Sequence, residues 1–202
     1  QGDTIICMEN HAETVGSAAA IDLDVAGITV LGLGNGGQRP TFTLSATGST
    51  VEIGAADVTI KNLLFTTSAA ATIILDVNST DATIVGCDFL METGVTAIDI
   101  NGGGANACDR ARILNCKFDA STDGPDTAIG LDEVADDVII DGCYAFGLFD
   151  DACVHNIREP FDRVGQRLHG DHREQHDGQP ARRRDPSRHR RRIVLQAPEL
   201  RL

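Results

Sequence analysis

Val58-Thr-Ile-Lys-Asn-Leu-Leu-Phe65, Ala82-Thr-Ile-Val-Gly-Cys-Asp-Phe89, Ala111-Arg-Ile-Leu-Asn-Cys-Lys-Phe118 and Val138-Ile-Ile-Asp-Gly-Cys-Tyr-Ala145 are four copies of one segment, and Ile28-Thr-Val-Leu-Gly-Leu33 is a shorter, earlier one. The copies start at 28, 58, 82, 111 and 138, which are 30, 24, 29 and 27 residues apart. That period belongs to a solenoid in which each coil is one supersecondary unit stacked on the last. Within a copy the apolar residues alternate, Val58 and Ile60 against Thr59 and Lys61, so the segment reads as a half-buried strand and not as a helix.

The fifth position of the copies is Gly32, Asn62, Gly86, Asn115 and Gly142. Glycine and asparagine accept positive φ most readily, so a tight bend is expected there. The next position is always apolar, Leu33, Leu63, Cys87, Cys116 and Cys143, as suits a side chain returning to the interior. These features predict an all-β chain, a right-handed parallel β-helix of about five coils, with Asn62, Gly86, Asn115 and Gly142 lining one corner and Cys87, Cys116 and Cys143 stacked beside it. A second strand family, Ile21-Asp-Leu23, Val51-Glu-Ile53, Ile74-Leu-Asp76, Ile98-Asp-Ile100 and Ile129-Gly-Leu131, precedes the first. The variable stretches are left to hold the third strand and the loops. The longest turn-like stretches, 101–108 and 120–125, are expected to protrude.

The 202 residues are 42% hydrophobic and 23% charged, which suits one globular domain, and no apolar run is long enough to cross a bilayer. The chain begins Gln1-Gly2-Asp3 without a charged-then-apolar leader, so a signal is expected to have been removed or the chain to be a fragment. The cysteines contain no CxxC pair, which argues against structural zinc, and thiols stacked in parallel are expected to remain unbridged.

The net charge of −13 conceals two compositions. Residues 1–155 hold 5 basic and 23 acidic residues, whereas 156–202 hold 12 arginines and 7 acidic residues. The expected division is therefore a β-helix domain over 1–156 and an Arg-rich tail over 157–202. The tail, with Arg182-Arg-Arg184 and Arg190-Arg-Arg192, has two readings: a basic arm for nucleic acid, or the product of an out-of-frame gene end, which the abrupt loss of the repeat favours. It has too little apolar content to build a coil. The last coil then has an open edge, which calls for a cap or a symmetric partner.

Gly2-Asp-Thr-Ile-Ile6, His11-Ala-Glu-Thr-Val15, Leu23-Asp-Val-Ala-Gly-Ile-Thr-Val30 and the run from Gly32 to Phe42, together with the repeat, resemble the first coils of pectin-lyase-like right-handed β-helix proteins, and most closely uncharacterised phage and metagenomic members. The resemblance spans about Gly2 to Asn156. It implies a structural or receptor-facing part of a phage particle, such as a tail spike, or of a related surface assembly. The location would be the virion or the cell exterior. The partners implied are surface polysaccharide, other virion proteins or further copies of the chain, with neither membrane nor nucleic acid. The same fold hosts hydrolases and lyases, so a polysaccharide-degrading enzyme is the alternative.

On that alternative, Ser121-Thr-Asp-Gly-Pro-Asp126 and Phe149-Asp-Asp-Ala-Cys153 are similar to the two aspartate motifs of polygalacturonase-type hydrolases. Asp150 and Asp151 would then supply acid and base with Asp123 assisting. Pro125 and Ala152 depart from the pattern, and the family's later Gly-His-Gly and Arg-Ile-Lys motifs are missing; Leu168-His-Gly170 does not replace them. A pectate-lyase-type reading would use calcium, collected by outward carboxylates among Asp22, Asp24, Asp76, Asp99, Asp132 and Glu133, but a solvated acidic face accounts for the same residues. No cofactor is otherwise expected. Gly32-x-Gly34-x-x-Gly37 matches a dinucleotide fingerprint in form only, because a strand and not a helix follows it. With 4% aromatic residues, no Trp and one Tyr, the usual stacking platform for sugars is not expected, and glycan contacts would be polar.

Overall fold

The computed structural model describes residues 2–67, 71–101, 108–121, 124–131 and 135–156. The tail from 157 onward, the larger part of the 101–108 corner, and Asp123, Asp132 and Glu133 lie outside the described residues. Among the described residues, eighteen short strands run in six layers of three. The layers, in chain order, are β1 (Thr4–Cys7), β2 (Ala12–Val15) and β3 (Ile21–Asp22); β4 (Thr29–Gly32), β5 (Thr41–Leu44) and β6 (Val51–Ile53); β7 (Thr59–Lys61), β8 (Leu64–Thr67) and β9 (Ile73–Val77). Above them lie β10 (Thr83–Val85), β11 (Asp88–Leu90) and β12 (Thr96–Ile100); β13 (Arg112–Leu114), β14 (Lys117–Ala120) and β15 (Thr127–Leu131); and β16 (Ile139–Asp141), β17 (Tyr144–Gly147) and β18 (Ala152–Asn156). Every third strand pairs in parallel, giving three six-stranded sheets: β1-β4-β7-β10-β13-β16, β2-β5-β8-β11-β14-β17 and β3-β6-β9-β12-β15-β18. The chain is a parallel β-helix. The five sequence copies become β4, β7, β10, β13 and β16, with β1 ahead of them, so the column takes about five turns from first layer to last and rises roughly 24 Å at the usual strand spacing.

The repeat places the residues of one copy over those of the next. Ile60, Ile84 and Ile113 align along the first sheet, and Phe65, Phe89 and Phe118 along the second. All six are essentially unexposed. The rings of Phe42, Phe65, Phe89 and Phe118 form a continuous stack with centroids 5.8, 5.2 and 5.0 Å apart. Ring stacking adds to area burial here, because Phe65 and Phe89 each meet a like ring on both sides.

The bend after the first-sheet strand has Asn62, Gly86, Asn115 and Gly142 at φ between 52° and 63°. Each backbone N–H of the first three donates to the next coil, to Val85, Leu114 and Asp141, so the corner is itself a hydrogen-bonded ladder. Gly32 differs. It remains in β4, and a Cβ there would collide with the Asn62 carbonyl, so its glycine serves close backbone approach; the chain turns later, at Gly34 (φ 90°) and the 3₁₀ turn Gly36–Gln38. The Gly-x-Gly-x-x-Gly run is therefore a turn.

A second left-handed corner was not apparent from composition. Gly27, Asp57, Asp81, Arg110 and Asp137, each just before a first-sheet copy, have φ between 57° and 77°, and the N–H groups of the first four again reach the next coil, at Ala56, Thr80, Asp109 and Asp136. Arg110 spans to Asp81, with Nε 2.7 Å from Oδ1. That contact holds the Asp81 carboxyl below the usual carboxylate range.

Two details differ from the sequence reading. In the last four layers the third strand, β8, β11, β14 or β17, follows the bend directly and does not lie in the variable stretches, whereas β2 and β5 follow longer turns. The second strand family is also shifted by one residue at β9: Val51, Glu52 and Ile53 pair with Leu75, Asp76 and Val77. A period-two pattern fixes faces only once the register is known, and β9 reads Ile-Ile-Leu-Asp-Val, an apolar run that leaves the register to its neighbours.

None of the six cysteines is in a disulfide. Cys87, Cys116 and Cys143 stack along the bend, each thiol facing a carbonyl of the preceding coil, Ile60, Ile84 and Ile113 respectively. For Cys116 the hydrogen bond with Cys143 lowers the pKa, but the Cys87 contact and burial outweigh it and push the thiol up to about 12. The hydrogen bond with Cys116, with burial adding to it, raises Cys143 as well.

Candidate functional site

Charged and chemically active groups face outward, and three places bring them together. The first is the outer face of the third sheet, where register aligns Asp22, Glu52, Asp76 and Asp99 in one line. Glu52 is the member absent from the sequence-based acidic set. Asn78 Nδ2 donates to Glu52 Oε1 at 3.3 Å. Burial between neighbouring strands raises the pKa of Asp76, partly offset by Asn78, and its Oδ1 is buried without a hydrogen-bond partner. The next position is Gly130, where a Cβ would stand 2.7 Å from Asp99 Oδ1; glycine there leaves room for the carboxylate. Among the described residues no group of three or more His, Cys, Asp or Glu is disposed to hold a metal ion.

The second place is the corner between the second and third sheets in the last two layers. Asp150 N–H donates to the Pro125 carbonyl at 2.9 Å, and Asp151 N–H to that of Asp126 at 3.1 Å. A Cβ on Gly124 would stand 2.9 Å from Asp150 Oδ2. The structure thus brings Asp150 and Asp151 against the Gly124–Asp126 segment of the preceding coil, with both aspartates exposed. Asp123 lies outside the described residues, and Asp126 is the described carboxylate of that segment.

The third place is the outer face of the second sheet. Arg39 crosses from the 32–40 turn to pair with Asp88 and donates to the Gly86 carbonyl. The hydroxyls of Thr43 and Thr66 meet at 3.0 Å on adjacent strands. At the last strand Tyr144 and Phe146 both point out, with ring centroids 5.5 Å apart. Lys117, directly beneath Tyr144 in register, puts its Nζ 4.9 Å from the Phe146 centroid and 3.8 Å from an Asp119 oxygen.

An outward aromatic pair was not foreseen from the composition. A low aromatic count does not prevent two rings from meeting on one face. The signal was present in the repeat: the last copy ends Tyr-Ala where the three before it end in Phe, so Ala145 takes the inward place over Phe118 and the aromatics stand at the outward positions on either side.

Among the described residues a small cavity lies inside the first coils, lined by Leu23, Val51, Ile60 and Phe65 among others, and two larger ones lie toward the ends of the column. One of about 340 Å³ is bounded by Ile5, Val15, Ile21, Leu23, Val30 and Phe42, with His11 and Glu13 at its rim. The other, about 270 Å³, lies among Phe118, Ile129, Ile140, Cys143, Ala145 and Val154. No helix among the described residues is long and apolar enough to cross a membrane. Compared with protein-family models, curated proteins and solved structures, the chain has no match.

Proposed function

We propose that this β-helix is a non-enzymatic structural element of a phage particle or related surface assembly, of the pectin-lyase-like type, and that it presents a face to surface glycans. The observation supporting this is the alignment of polar groups on long outer faces built from one residue per coil, such as Asp22, Glu52, Asp76 and Asp99, while the interior is filled by the phenylalanine and isoleucine stacks. A flat, repeating face suits a polymer, because each coil offers a further contact at a fixed interval. Rigidity follows from continuous strand pairing through all three sheets, so little order is lost when a polymer docks. No cofactor is needed for this role.

The test is incubation of the full chain with host surface polysaccharide and with polygalacturonate, followed by co-sedimentation and by assay for new reducing ends or unsaturated products. Binding without product release is the expected result. Turnover abolished by Asp150→Asn would replace this reading with the enzymatic one. That second reading, a polysaccharide hydrolase, is favoured by the contact of Asp150 and Asp151 with the Gly124–Asp126 segment, since carboxylates on adjacent coils can divide acid and base roles.

A further inference from the structure

We infer that Tyr144 and Phe146, with Lys117 and Asp119 beside them, form a stacking subsite for a neutral hexose of a surface glycan. The inference rests on the glycan-facing reading and names its ligand class and location. Tyr144 is 63% exposed and Phe146 is half-buried. The fold has no need of an outward ring here: the equivalent outward positions in the second sheet are Thr41 and Thr43, Leu64 and Thr66, Asp88 and Leu90, then Lys117 and Asp119. Only the inward positions of those strands carry the phenylalanines of the core stack. In β17 this parity is reversed, and the two rings stand on the outer face, Tyr144 exposed and Phe146 half-buried.

A pair of rings tilted 29° to one another offers a shallow apolar bed. One face of a pyranose is a patch of C–H groups, and it loses unfavourable hydration on such a surface while its rim hydroxyls still need polar partners. The Lys117 ammonium supplies donors and the Asp119 carboxylate supplies acceptors, within one strand of the rings. Charge selects the sugar. Residues 1–155 carry 23 acidic against 5 basic residues, so a polyuronate or another polyanion meets repulsion along the column, and a neutral hexose polymer does not.

Tyr144 is the only tyrosine, and the chain has no tryptophan, so its intrinsic emission reports on this site alone. The experiment titrates the full chain with maltohexaose, cellohexaose, laminarihexaose and mannohexaose, with hexagalacturonate as the charged contrast. Tyrosine emission, iodide quenching and calorimetry are followed. At least one neutral hexasaccharide should change Tyr144 emission saturably and shield it from iodide, a readout that requires no variant. Tyr144→Ala or Phe146→Ala should weaken that binding about tenfold or more, with the circular dichroism spectrum unchanged.

Binding left intact by both variants would overturn the subsite while leaving the glycan-facing reading in place, as would binding of hexagalacturonate alone. No binding by any glycan, neutral or charged, in this titration or in the host-polysaccharide assay, would overturn both. Concentration-dependent self-association that Tyr144→Ala abolishes, without glycan binding, would assign the rings to a contact between copies and overturn the subsite.

Discussion

The middle coils and the last described coil share one backbone plan and divide their side chains differently. In β8, β11 and β14 the phenylalanine is inward and unexposed, and the flanking positions carry no aromatic ring. In β17 the inward residue is Ala145, while Tyr144 and Phe146 stand outside. Ile139 is 45% exposed and Leu148 75% exposed in the same coil. A strand has two faces, and a ladder of backbone hydrogen bonds is indifferent to which one carries the apolar group. The middle of the column spends its aromatic rings on cohesion. The last coil places them where a ligand can reach them.

The comparison breaks most sharply if the two sets of rings are equivalent in stability. Phe89 lies between rings at 5.2 and 5.0 Å, so Phe89→Ala should cost about 3–5 kcal/mol. Denaturant unfolding would measure it, together with a melting temperature lowered by roughly 10 °C for a chain of this size. A loss below about 1 kcal/mol would mean that the stack does not hold the core.

The corner of the bend gives a smaller and more local contrast. Gly86 and Gly142 share φ of 63°, yet a Cβ at Gly86 meets nothing within 4 Å, and one at Gly142 collides with Asn115 Oδ1. Gly86→Ala should cost about 1–2 kcal/mol from the left-handed backbone alone. Gly142→Ala should cost about 1–3 kcal/mol beyond that from the collision, and Asn115→Gly should remove most of the excess. A double-mutant cycle in urea measures this coupling, and its absence would show that the two coils do not touch there.

Outside the core, the acidic line of the third sheet tests the sign of a titration. Folding raises the Asp76 pKa through burial, so the folded chain keeps that proton to a higher pH than the unfolded chain does. The contribution of Asp76 to stability is therefore greatest below the unfolded value of about 3.9, and declines as pH rises from there through the raised folded value. Asp76→Asn should raise the melting temperature by about 1–3 °C at pH 7 and leave it unchanged near pH 3. A lowered melting temperature at pH 7 would instead make the ionised carboxylate a stabilising group. Smallest of all, Tyr144→Ala should change stability by less than about 0.5 kcal/mol, as for an exposed position. A loss comparable with that of Phe89→Ala would place Tyr144 in the core and erase the difference between the two regions.

Much of this architecture was legible in the chain because the repeat places like residues at like positions, and the asparagines and glycines at 62, 86, 115 and 142 announce a backbone conformation that few other residues adopt readily. The second left-handed corner was hidden. Asp57, Asp81, Arg110 and Asp137 occupy it, and neither arginine nor a spread of aspartates across an acidic chain singles out positive φ. The adjacency of Asp150 and Asp151 to the Gly124–Asp126 segment could be anticipated from their spacing, but the room that Gly124 makes for the Asp150 carboxylate appears only in three dimensions.

The sequence by itself determined that the chain is a coil-stacked parallel β structure, where its strands recur and where one corner bends, because alternation and the steric freedom of glycine and asparagine act within a few residues. Tertiary structure alone decided the one-residue register at Leu75, Asp76 and Val77, the alignment of Glu52 with the aspartates of its neighbours, and the meeting of Tyr144, Phe146 and Lys117 on one outer face. Each of these depends on which residue of one coil lies over which residue of the next. That choice is made by pairing between segments roughly one coil apart in the chain, which no local pattern encodes.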